Sequence, residues 1–235
     1  MTKCLTYLRN AAFVLGLAVP MGARAEPLVV LELFTSQGCS SCPPADAMLH
    51  KWVQDPRLLP LALHVDYWDY IGWKDSFGQR AFSDRQRSYV LLHNQKTLYT
   101  PQMVVNGIGQ TQGANGPRIL QLIGEARTAQ SELRLTLAKK DEKLEISAIR
   151  KTAKSPDLMV QIIRYRPVEI VMIEYGENGN KTISYANIVT SWQVVGHWTG
   201  AADLHMSVDL EGSDQTAVVL QEPGPARIWA AARLP

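Results

Sequence analysis

Two cysteines separated by two serines, Cys39-Ser40-Ser41-Cys42, stand where the chain changes its hydrophobic period, and no other feature constrains the fold as much. Ahead of them residues 28–34 are mainly apolar, with β-branched Val29 and Val30, which is the pattern of a buried strand leaving through a turn at Gly38. Behind them Pro43 and Pro44 suit a first helical turn, where no backbone N–H is required, and Ala45, Met48, Leu49 and Trp52 recur at helical spacing. The pair therefore sits at a strand-to-helix junction. The unpaired N–H groups and positive dipole end of a helix favour a thiolate over a thiol, and such sites lower a cysteine pKa from about 8.5 to about 3.5–7.5. Cys39 is the candidate nucleophile, expected to be reachable. Cys42, one helical step further in, is placed to attack a mixed disulfide formed on Cys39. The competing readings are a structural disulfide or two inert buried thiols. A two-residue gap closes too small a loop to restrict the unfolded chain much, so stability is a poor reason for the pair.

Residues 1–25 read as an export signal. Lys3 and Arg9 precede an apolar core at 11–19, too short to span a bilayer, and Ala23-Arg24-Ala25 supplies small residues for cleavage before Glu26. The whole chain has 24 basic and 22 acidic residues, formally +2; losing Lys3, Arg9 and Arg24 leaves about −1. No basic cluster remains to argue for nucleic acid or an acidic membrane surface. Cleavage also removes Cys4, so the mature chain holds a single cysteine pair in a compartment where disulfides persist. No later stretch is apolar enough to serve as a transmembrane anchor. The expected location is periplasmic or secreted.

The mature chain divides by texture. Residues 26–130 alternate strand and helix: a strand at 28–34, a helix at 43–54, and an apolar run at 59–67 broken by Pro60, an order that favours a parallel βαβ unit with a right-handed crossover. Ser83 and Gln86 have capping-box spacing at the start of a further helix carrying Tyr89, Val90 and Leu92. Thr100-Pro101 precedes a strand at 102–105, Asn106-Gly107 is a hairpin-turn dipeptide, and a last helix opens near Pro117. From 131 to 235 short β-rich runs follow one another. A hairpin at 133–137 and 144–149 has a polar tip, and further runs lie at 159–165, 168–175, 182–185, 188–195, 204–210, 217–220 and 227–232, suggesting an antiparallel sandwich-like domain. Gly107, Gly109 and Gly113 do not have dinucleotide-binding spacing, and no cofactor is expected.

The cysteine segment resembles the active-site segment of thioredoxin-fold proteins. With Asp66-Tyr67-Trp68-Asp69-Tyr70-Ile71-Gly72-Trp73 and Tyr99-Thr100-Pro101-Gln102-Met103-Val104-Val105-Asn106-Gly107, the chain is similar to the exported bacterial family DUF1223 over nearly all of the mature sequence. The resemblance implies an α/β thioredoxin-like N-terminal domain. It further implies a cis proline at Pro101 beside the cysteines, with Thr100 offering its backbone to an extended substrate, and it puts Glu32 forward as the buried acid that moves the proton of Cys42. The physics alongside is that X-Pro bonds alone populate cis readily and that a buried carboxylate has a raised pKa suited to base chemistry. The alternatives are a trans proline opening a strand and an outward-facing, ionised Glu32.

His64 and Asp66 lie two apart on one strand and share a face. If that face meets Cys39, His64 completes a metal site with Cys39 and Cys42; otherwise it is a hydrogen-bonded core residue. Trp68 and Tyr70 are candidate substrate-binding residues, with packing as the alternative. Gly176-Glu177-Asn178-Gly179-Asn180 reads as a hairpin turn. Three functions are thus carried forward. The first is an exported thiol–disulfide oxidoreductase, reductase-like, acting on protein or small-molecule thiols and disulfides with a separate redox partner. The others are a metal-binding or metal-delivery protein using the same cysteines, and a non-catalytic binding module.

Overall fold

The computed structural model describes residues 28–129, 133–150 and 156–235. The export signal read at 1–25 and the change of texture at 131 lie outside them. Strand β1 (Val29–Thr35) is buried along its whole length, in keeping with its mainly apolar run. Its side chains divide by parity. Val29, Leu31 and Leu33 pack with Ala45 and Leu49 of helix α1 (Pro43–Trp52), while Val30 and Phe34 face Phe82 and Tyr89 of helix α2 (Arg80–Leu92) on the opposite side. Strand β2 (Leu58–His64) runs parallel to β1, in register from Val29↔Leu58 to Thr35↔His64. The expected strand–helix–strand unit is therefore present.

On the other side of β1, β3 (Gln102–Val105) pairs antiparallel and β4 (Gly109–Gln112) closes the edge through the Asn106-Gly107 turn. Both turn residues have positive φ, 51° and 74°, as the hairpin dipeptide requires. Asn106 also accepts from the Val30 N–H and donates to the Ile228 carbonyl, so the turn is tied to distant strands. Helix α3 (Gly116–Thr128) opens near Pro117 as expected, with Pro117 in its first turn, capped by the Asn115 side chain accepting from the Arg118 N–H.

The capping box read at Ser83 is not used. Helix α2 begins three residues earlier, at Arg80. Ser83 instead donates its hydroxyl to Asp66 Oδ1 and accepts from the Asp66 N–H, so the carboxylate at the end of β2 takes the side chain that would have capped the helix.

The later strands are β5 (Leu133–Lys140), β6 (Lys143–Arg150), β7 (Leu158–Ile173), β8 (Lys181–Trp198), β9 (Leu204–Asp209), β10 (Gln215–Gln221) and β11 (Ile228–Arg233). Four of them extend the first sheet rather than forming a sandwich apart from it. The order is β11-β10-β7-β8-β2-β1-β3-β4, parallel at β1/β2 and β2/β8 and antiparallel elsewhere. The junction is narrow: β8 pairs with β2 only at Ala62↔Ile188. Pro60 has no N–H for that side, and its carbonyl is taken instead by the Asn187 side chain at 2.7 Å. The described residues are thus mostly β, with one large mixed sheet and few helices.

Strands β5, β6 and β9 form a separate three-stranded sheet. Ala217 and Val219 of β10 point to the α2 side, Val218 and Leu220 to the three-stranded sheet, so the small sheet continues the layer begun by α1 and α3. Strands β7 and β8, expected as four short runs, are two strands of 16 and 18 residues. Their far halves project beyond the sheet, where the apolar residues Val168, Ile170 and Met172 are exposed.

Candidate functional site

Cys39 and Cys42 are joined as a disulfide with Cα atoms 5.4 Å apart. Cys42 is the residue flanking the first turn of α1, and its carbonyl accepts from the N–H groups of Ala45 and Asp46. Ser41 Oγ lies 3.4 Å from Cys39 Sγ and donates to the Thr100 carbonyl at 3.4 Å. The Thr100-Pro101 bond is cis, as the resemblance implied, and Trp68 Nε1 donates to Thr100 Oγ1 at 2.7 Å. Cys39, Cys42, Thr100, Pro101 and Trp68 are thus gathered at one end of β1. Tyr70 is on the helical turn Asp69–Ile71 beside them but stands 81% exposed.

Chain continuity under the proline depends on one glycine. Gly113 N–H donates to the Pro101 carbonyl, and a Cβ at Gly113 would lie 2.7 Å from Pro101 Cβ, 2.9 Å from Leu33 Cδ1 and 3.1 Å from Ala45 Cβ. Gly113→Ala is expected to destabilise the fold by about 1–3 kcal/mol, as overpacking does, read as a lowered urea midpoint at unchanged slope.

The expectation of an exposed first sulfur is corrected. Cys39 is 1% exposed and Cys42 0%, although Ser40 and Ser41 between them face solvent. The loop is held down from two directions. From the segment after β2, the Asp75 carboxylate accepts from the Gln37 N–H at 2.8 Å, Trp73 Nε1 donates to Gln37 Oε1, and Ile71 packs against Gly38. From the β7–β8 turn, Asn178 Nδ2 donates to the carbonyls of both Gln37 and Cys39 at 2.9 Å.

Glu32 is the second correction. It is fully buried, but it shares the parity of Val30 and Phe34 and so faces α2, away from α1 and the cysteines. Arg85 donates to it from Nε at 2.6 Å and from Nη2 at 2.9 Å, and the Tyr89 hydroxyl donates at 2.6 Å. A carboxylate clamped by these donors on the far face is an internal ion pair, and the proton-acceptor role does not fit it.

The acid on the correct face is Asp46, which sequence reading passed over because an aspartate in a first helical turn is ordinarily a solvated partner of the dipole. Its signal was its place four residues after Cys42, on the face shared with Ala45 and Leu49. Asp46 is 2% exposed, and among the described residues no donor reaches full hydrogen-bond geometry at either carboxyl oxygen. Burial pushes its pKa up to about 7, only partly offset by His64 and the Thr35 hydroxyl and reinforced by Asp75. His64 Nδ1 pairs with Asp75 Oδ2 at 2.7 Å, its ring between Phe77 and Tyr185, and its Nε2 finds no protein partner among the described residues. Burial alone would raise Asp75, but the facing His64 and the N–H groups of Gln37 and Phe77 hold its carboxyl below the usual range. The set Cys39, Cys42 and His64 is not assembled around a common point: no group of three or more His, Cys, Asp or Glu among the described residues is disposed to hold a metal ion. Asp75 has captured the imidazole.

The model of the family described as "Protein of unknown function (DUF1223)" matches residues 30–221. A crystal structure of a protein from Agrobacterium tumefaciens is similar at 31% identity, covering 89% of this chain and 95% of that one with a TM-score of 0.77. The structure of HBP35 of Porphyromonas gingivalis has a TM-score of 0.57 at 13% identity, over 88% of this chain and 74% of that one, which is a likeness of fold. No curated protein matches the chain.

Proposed function

The chain belongs to the DUF1223 family of proteins of unknown function, and we propose that it is an exported thiol–disulfide oxidoreductase, reductase-like in direction, whose N-terminal half works as a thioredoxin-like unit. One observation carries this reading. A buried carboxyl, Asp46, at which no donor among the described residues reaches full hydrogen-bond geometry, sits one helical turn beyond a cysteine pair at the start of a helix. Such a group lowers stability, and chemistry at the pair gives it a use. The leader at 1–25 supports export, and the parallel β1–α1–β2 unit with Thr100-Pro101 beside the cysteines supports the thioredoxin-like assignment.

In the reaction, a Cys39 thiolate attacks one sulfur of a substrate disulfide; that S–S bond breaks, and the first substrate thiolate leaves and takes a proton from water. Cys42 then gives its proton to the Asp46 carboxylate and attacks Cys39 Sγ. The mixed disulfide breaks, the second substrate thiolate leaves, and Cys39–Cys42 is the oxidised product. A dithiol partner returns two electrons by the reverse exchange, and Asp46 returns the proton to Cys42. Side chains of a helix lean towards its N-terminus, so residue 46 overlies the turn that carries Cys42, and the Asp46 N–H bonds the Cys42 carbonyl at 3.1 Å. Thr100, whose carbonyl accepts from Ser41 and whose hydroxyl accepts from Trp68, offers its backbone as the edge against which an extended substrate pairs.

Cys39→Ser is expected to reduce dithiothreitol-driven cleavage of a peptide disulfide to the uncatalysed rate, while Cys42→Ala accumulates mixed disulfides that a mass measurement detects. Turnover unchanged in Cys39→Ser removes the mechanism.

A further inference from the structure

The β7–β8 turn carries two residues that its own geometry does not require. Positive φ is supplied by Gly176 at 78° and Asn180 at 60°; Glu177 and Asn178 are not among the positive-φ positions. Both are directed at the cysteine loop across about 140 residues of sequence. Asn178 is 1% exposed, and its amide is fully committed, with Nδ2 donating to Gln37 and Cys39 carbonyls and Oδ1 accepting from Lys181 Nζ at 2.9 Å. Glu177 is exposed and accepts from the Ser40 N–H, between the two cysteines, at 3.2 Å. The hydrogen bonds from Ser40 hold its carboxyl below the usual range, so it is charged wherever a thiolate reacts.

An external disulfide must reach a sulfur that is 1% exposed and whose loop is bonded by this turn. We propose that Asn178 and Glu177 form the substrate-selecting wall of the cysteine site: Asn178 pins the turn over Cys39 so that small or extended disulfides enter, and Glu177 sets a negative charge at the opening that favours cationic over anionic ones. The wall rests on the oxidoreductase reading for its purpose. Other charges border the loop: Lys181 is engaged by Asn178, Glu174 and Lys74 are exposed, Asp69 is partly buried with its carboxyl pushed up by that burial, and Asp75, Asp46 and His64 lie beneath. Glu177 alone among these side chains bonds a residue between the cysteines.

The test uses the reduced mature chain carrying Cys42→Ala, so that a mixed disulfide on Cys39 is not resolved, and two methanethiosulfonate reagents of matched size, one cationic and one anionic, with modification of Cys39 followed by mass spectrometry. In each reaction the Cys39 thiolate attacks the reagent's sulfenyl sulfur, a new S–S bond forms, and a sulfinate leaves. Relative to free cysteine, the cationic reagent is expected to react about 3–10-fold faster than the anionic one at low ionic strength, converging in 1 M salt. Glu177→Gln abolishes the preference and Glu177→Lys reverses it. Asn178→Ala speeds both reagents several-fold and leaves their ratio unchanged; Asn178→Leu, which keeps the volume and adds no charge but loses the donors, does the same should the alanine variant fail to fold. An unchanged ratio in Glu177→Gln, or unchanged rates in a folded Asn178 variant, overturns the proposal. The reagents need only a reachable thiol, so charge selection in a chain that reduces no peptide disulfide would keep the wall and remove the oxidoreductase reading.

Discussion

Arg85→Ala is expected to destabilise the fold by about 3–5 kcal/mol, the loss seen when one member of a buried ion pair is removed and the other stays behind. Glu32 is 0% exposed and Arg85 11%, and the guanidinium binds both carboxylate oxygens, Gln221 Oε1 at 3.1 Å and the Tyr89 hydroxyl at 3.2 Å, while lying 3.7 Å over the Trp192 ring. Alanine deletes all of these at once and leaves a carboxylate in an apolar layer. Replacing both partners, Glu32→Met with Arg85→Met, is expected to recover most of the loss, because the desolvation of both charges is relieved together. Urea unfolding of the two variants measures this. A loss below about 1 kcal/mol for Arg85→Ala would contradict the buried pairing. At temperatures where the double variant is folded, its cysteine chemistry should match the wild type, since Glu32 faces the other side of β1.

The second large effect concerns Asp46 and pH. Its carboxyl titrates near 3.8 in an unfolded chain and at about 7 in the folded one. The folded state therefore holds a proton that the unfolded state has already lost. Stability is unaffected below about pH 4, falls as pH rises through the window from 3.8 to about 7, and stays reduced above it. A shift of this size corresponds to roughly 4 kcal/mol. Asp46→Asn, which cannot ionise, is expected to be more stable than the wild type by a few kcal/mol at pH 8 and close to it at pH 4, with the difference growing across that window. The same variant should slow the Cys42 step, seen as slower resolution of a mixed disulfide on Cys39 near neutral pH. Parallel stability curves for the two proteins would contradict the buried, proton-holding state.

What could be read from sequence was local. The Cys39-Ser40-Ser41-Cys42 junction, the Asn106-Gly107 turn and the proline start of α3 each rest on a residue type with one dominant conformational or chemical use, so they were legible without tertiary context. The side to which Glu32 points was not: in a strand buried on both faces there is no alternation, and the parity of β1 becomes known only when α1 and α2 are seen on opposite sides. Asp46 was hidden by a helix-dipole pattern it happens to satisfy. The merging of both halves into one sheet turns on a single pairing, Ala62↔Ile188, beside a proline that reads as a strand breaker. Asn178 and Glu177 sat in a segment whose turn composition was explained fully by its glycines and asparagines, and only the long-range contact to Gln37, Cys39 and Ser40 gives them a further role.

The central claim is that the Cys39–Cys42 bond is made to open and close, and equilibrium of the mature protein with dithiothreitol redox buffers tests it most directly. The account predicts a reversible two-electron transition with a midpoint in the range of known oxidoreductases, about −270 to −120 mV. A pair that stays oxidised below about −300 mV, as structural disulfides do, would contradict it.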